Sequence, residues 1–99
     1  MNQYYEAILQ IRPEKKEILD FIKEHLNKRK NVFISKTIYH KTGSDIYLSS
    51  QKFTKSLGNQ LKKRFKGELK ITRSLYGISK KTGKTVYRLT VLFRLKKPL

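Results

Sequence analysis

Along residues 4–12 apolar and polar side chains alternate, with Tyr5, Ala7, Leu9 and Ile11 falling on one face, the period of a half-buried strand. Arg12-Pro13 closes that run. From Pro13, a residue suited to a first helical turn, Ile18, Ile22 and Leu26 recur every fourth position beside Leu19. This predicts an amphipathic helix over 13–26, with Glu14 and Glu17 near the positive end of its dipole, ending in the polar cluster 27–31. Period-two patterning over 32–40 and 45–49, around the turn Lys41-Thr42-Gly43-Ser44, predicts a hairpin. Ser49 or Ser50 is placed to cap a second helix with the apolar stripe Phe53, Leu57, Leu61 and Phe65, and Gly67 to stop it. A longer hairpin follows, strands 69–78 and 85–95 around a turn at 79–84. In its last strand Tyr87, Leu89, Val91, Phe93 and Leu95 face one way and Arg88, Thr90, Leu92 and Arg94 the other.

The order βαββαββ predicts an α+β fold: a two-layer sandwich in which two helices cover one face of a mostly antiparallel sheet, the other face being open to a partner. The halves echo each other weakly through their Lys-Thr-Gly turns, for which there are two accounts, an old duplication or, the simpler one, shared turn chemistry. Ninety-nine residues, 37% of them hydrophobic, suit one domain with one thin core.

Charge sharpens the picture. The first 24 residues hold four basic against five acidic side chains, whereas residues 25–99 hold twenty against two, a net +18. A field of one sign over most of a small domain favours a polyanion, because each neutralised phosphate releases condensed counterions. Cysteine is absent and His25 and His40 stand fifteen positions apart, so neither disulfides nor a metal site is expected. No apolar run approaches a membrane span and the N-terminus lacks signal-peptide character, so a soluble, cytoplasmic protein is expected.

Catalytic patterns are present but fail on context. Ser49-Ser50-Gln51-Lys52 and Lys81-Thr82-Gly83 match two elements of penicillin-interacting serine enzymes, yet a helix cap and a hairpin turn account for both. Gly77 is one residue too far from Gly83-Lys84-Thr85 for a P-loop, and the context is strand-turn-strand. Asp20 and Glu24, four apart on a helix, suit surface ion pairs with Lys16, Lys23 or Lys28. No enzyme and no cofactor are expected.

The remaining constellation is basic and aromatic. Alternation sends Phe33, Tyr39, Tyr47 and Tyr76, with Lys70, Arg88 and Arg94, toward the face away from the helices. Such rings could stack bases while the cations hold phosphates, although for most of them cross-strand packing is the simpler account. The candidate RNA-binding residues are the turn lysines Lys80, Lys81 and Lys84, then Arg88, Arg94 and Arg73, with Lys52, Lys55, Lys62, Lys63 and Lys66 on the second helix. The turn lysines, on a projecting tip, are expected to contribute most.

The segments Tyr4-Tyr5-Glu6-Ala7-Ile8-Leu9-Gln10-Ile11-Arg12, Val32-Phe33-Ile34-Ser35-Lys36, Ile46-Tyr47-Leu48-Ser49-Ser50, Leu75-Tyr76-Gly77 and Val86-Tyr87-Arg88-Leu89-Thr90-Val91 resemble, in order, the middle domain of archaeal relatives of the nonsense-mediated-decay protein three family. In eukaryotes that family is the export adapter of the large ribosomal subunit. The resemblance implies a fold similar to the large-subunit ribosomal protein twenty-two, on a factor bound to the intersubunit side of the late pre-ribosomal large subunit. It implies large-subunit ribosomal RNA and ribosomal proteins as partners; separately, a monomer is expected. Family members flank this domain with Cys-x-x-Cys zinc modules and a domain like translation factor five A. Neither is in this sequence, so functions of those modules do not carry over. The resemblance fixes no contact residue.

Overall fold

The structure, a computed structural model, describes residues 4–78, 83 and 85–96. Its elements are β1 (Ala7–Arg12), α1 (Lys16–Asn27), β2 (Ile34–His40), β3 (Gly43–Leu48), α2 (Gln51–Arg64), β4 (Gly67–Ile78) and β5 (Thr85–Leu95), which is the expected βαββαββ order in an α+β fold. One sheet runs β2-β3-β1-β5-β4. Neighbours are antiparallel except β1 and β5, which lie parallel at its centre.

Register decides which side chains meet the helices. Ala7, Leu9 and Ile11 pair with Leu48, Ile46 and Ser44 on one side and with Leu89, Val91 and Phe93 on the other. Their apolar members share a buried cluster with Ile18 and Ile22 of α1 and Phe53, Leu57 and Leu61 of α2. The helix stripes thus close one sheet face, as their spacing implies. Alternation leaves Ile8, Gln10, Arg12, Tyr47, Arg88, Thr90, Leu92 and Arg94 on the opposite, open face.

Local chemistry explains where the elements stop, and here several expectations change. β1 continues to Arg12, the Arg12–Pro13 peptide is cis, and α1 begins only after Lys15, whose extended backbone (φ −131°, ψ 145°) makes it the N-cap. Pro13 and Glu14 therefore precede the helix, and Glu17 alone supplies an acid to its first turn. α2 is capped by Ser50, whose Oγ accepts from the Phe53 N–H at 3.1 Å. Ser49 instead accepts from the Phe33 N–H at 3.0 Å. These backbone roles explain the pair of serines that resembles a catalytic motif.

Two glycines are required by close approach. A Cβ on Gly43 would lie 1.8 Å from the Ile11 carbonyl oxygen, so the hairpin turn shrinks to Lys41-Thr42 and Gly43 enters β3 against β1. Gly67 is no helix stop. α2 ends at Phe65 in an extended conformation, and Gly67 opens β4 where a Cβ would meet the Arg94 carbonyl oxygen at 2.6 Å.

Candidate nucleic-acid interface

α2 (QKFTKSLGNQLKKR) contains no acidic residue. Its buried stripe leaves Lys52, Lys55 and Lys63 on the outward surface, where with Ser56, Asn59 and Gln60 they line a shallow hollow of about 400 Å³. Lys62 is exposed beside this ridge and Lys66 beyond the helix end. At the N-terminal end of α2, Arg73 of β4 joins Lys52 and Lys55 around a second hollow, of about 660 Å³. The carboxylate there, Glu6, is tethered: Oε1 accepts from the Gln51 N–H at 3.1 Å. Arg73 lies 5.5 Å from the centre of the Tyr87 ring, a cation–π distance.

The open sheet face is built differently. Extrapolated alternation puts Tyr5 with the core, but the chain bends at Glu6, before β1, and the Tyr5 ring turns to the open side. It meets Tyr47 edge-on, centroids 4.8 Å apart. Arg88 lies 3.8 Å above the Tyr5 ring and its Nη1 donates to the Tyr5 hydroxyl at 2.9 Å. Lys36 covers Tyr47 at 4.6 Å. Both rings therefore already carry a cation of this chain, which is the cross-strand packing alternative rather than a vacant stacking platform. Burial first, then the nearby Asp45 charge and Tyr5, push the Tyr47 hydroxyl pKa upward. Tyr4, which donates to Glu6 Oε2, is pushed up to about 12 by that hydrogen bond, by burial and by the Glu6 charge, Arg88 opposing.

Other rings depart from expectation. Tyr39 pairs with Ser44 and so belongs to the helix side, 71% exposed beyond the core. Phe33 lies just before β2, and the Tyr76 side chain is outside those described. Lys70 does reach the open face, where it shares a groove with Glu68, Leu92 and Arg94.

The candidate cations thus fall on two surfaces. Lys52, Lys55, Lys63 and Arg73 gather on the helix side, whereas Arg88 and Arg94 occupy the open face. Lys80, Lys81 and Lys84 lie outside the described residues. The pattern missed Arg12, Lys15 and Lys96, which join Arg94 at a cleft of about 560 Å³. Arg12 and Arg94 are register partners across the parallel pair, and no local signal in the chain announces that pairing.

Fold and cations together define a small, strongly basic α+β sandwich. Residues 4–95 match the family model described as NMD3, second domain, and the chain belongs to that family. The family is one of ribosome-biogenesis and export adapters associated with the large ribosomal subunit, rather than a family of enzymes. No curated protein matches the chain.

Proposed function

We propose that this domain is a non-enzymatic ribosomal RNA-binding module of a large-subunit biogenesis factor, acting as a cytoplasmic monomer. The observation that carries the reading is the acid-free α2, whose ridge of Lys52, Lys55 and Lys63 continues into Arg73. A row of exposed ammonium groups suits the phosphates flanking a groove, since each contact releases counterions without desolvating a core. The amides of Asn59 and Gln60 between the lysines can donate to phosphate or 2′-hydroxyl oxygens.

Binding of large-subunit ribosomal RNA fragments across a salt series tests this. With about four phosphates engaged, log K falls against log salt with a slope of roughly −2.8 to −3.6. A flat dependence would remove the RNA reading and favour protein docking.

A further inference from the structure

The cleft at the carboxyl ends of β1 and β5 belongs to neither the α2 ridge nor the tyrosine cluster. Pro13 and Leu95, with Thr42 beside them, give it apolar surface, while Arg12, Lys15, Arg94 and Lys96 surround it, and among the described residues no carboxylate lines it. The four cations are not equivalent. Arg12 is turned inward: Nη1 donates to the carbonyls of Ile11 and Ser44 at 2.9 and 3.0 Å, and Nη2 to Asp45 Oδ1 at 2.6 Å. It is a fixed wall. Among the described residues, Lys15, Arg94 and Lys96 have no ion-pair partner. Of the nearby acids, Glu14 precedes Lys15 and Glu17 follows two residues on, and Glu68 is the register partner of Arg94 and shares a groove with it on the β4 side; none of the three lines the cleft. Three like charges at one rim repel one another unless an anion sits between them.

We propose that this cleft receives one nucleotide, its phosphate held by Lys15, Arg94 and Lys96 and its base laid against Pro13 and Leu95. The cations select an anion, the apolar floor selects one carrying a flat ring, and the volume is in the range of about 300–1,000 Å³ typical of small-ligand sites. The lysine row of α2 offers charge for backbone, whereas this cleft also offers apolar surface on which an unpaired base can lie. The inference rests on the RNA-binding reading for the source of the nucleotide, an unpaired residue of ribosomal RNA. A free mononucleotide carries the same chemistry.

The test uses the full 99-residue chain. Adenosine 5′-monophosphate, inorganic phosphate and adenosine are titrated separately, following backbone amide resonances. Saturable shifts at Lys15, Thr42, Leu95 and Lys96 with the nucleotide, and weaker binding of either fragment, support the proposal. Equal affinity for inorganic phosphate overturns it in favour of a simple anion site, and shifts confined to α2 overturn it outright. In the second arm, R94E with K96E is compared with the unchanged chain on an RNA containing an unpaired nucleotide and on a fully paired duplex. A loss of about tenfold on the first, with a smaller loss on the second, assigns the cleft to unpaired RNA. Equal losses on both RNAs overturn that source. If the unchanged chain binds no RNA while the nucleotide still shifts the cleft, the free mononucleotide is the ligand and the RNA reading fails alone. RNA binding without cleft shifts removes only the cleft proposal.

Discussion

Arg12 and Asp45, thirty-three residues apart, are joined at 2.6 Å from Nη2 to Oδ1 on the open face of the sheet. The same carboxylate takes His40 Nε2 at 3.1 Å from the neighbouring strand, so one acid ties three strands together. Asp45→Ala leaves the mostly buried guanidinium without its counter-charge. It should destabilise the fold by about 1.5–3 kcal/mol, the range for hydrogen bonds to charged groups, measured by denaturant unfolding. His40→Ala, removing a more exposed partner, should cost less.

Gly43→Ala tests the approach of the first hairpin to β1. The added methyl meets the Ile11 carbonyl oxygen at 1.8 Å, and backbone rather than a flexible side chain must move. A loss of about 3 kcal/mol or more is expected, since overpacking and strain are combined at one position. At Gly83 (φ 70°) nothing among the described residues lies within 4 Å, so Gly83→Ala carries the backbone strain without the collision. Thermal melts of the two variants separate these effects.

The ridge on α2 should behave as a unit. Lys52→Glu, Lys55→Glu and Lys63→Glu together leave the buried stripe untouched, so the melting temperature should change little. The slope of RNA affinity against salt should flatten by about 2.1–2.7, from 0.7–0.9 per phosphate. Lys16, Lys23 and Lys28, exposed on or just after α1, supply the control with the same change in net charge. Equal losses in both variants would mean that total charge, not the ridge, sets the affinity.

Tyr4 gives a pH signature. Its hydroxyl is held protonated to about 12, against an ordinary 10.0, chiefly by donating to Glu6. A raised folded-state pKa contributes stability that is complete below 10 and lost as pH climbs through about 12. Ring carbon shifts of Tyr4 should report this late titration. Glu6→Gln should bring it down toward the ordinary value, because both the ionic acceptor and its charge are gone.

Much of the architecture was readable because it is written in local periods. Phe53, Leu57 and Leu61 mark the buried side of α2, and Ala7, Leu9 and Ile11 that of β1, without knowledge of any partner. Tyr5 failed for the opposite reason: its alternation is intact in the string, but the bend at Glu6 and the contact with Arg88 reverse its side. Pro13 looked like a first-turn residue because nothing local distinguishes a helix start from the last step before one. The site was less legible than the fold. The lysines of α2 follow from helical spacing, but Arg12 meets Arg94 only because strands about eighty residues apart in sequence pair, a decision made by the whole core.

That central pairing also has a consequence during synthesis. The middle of the sheet joins residues 7–12 to residues 89–94, so neither β1 nor its flanking hairpin has a closed core until the last strand is available. A ribosome making this domain must translate nearly all of it before the nascent chain can complete the sheet. Until then β1 exposes Leu9 and Ile11 beside an unfilled edge. The apolar face of β1 therefore stays uncovered for nearly the whole of the domain's own translation.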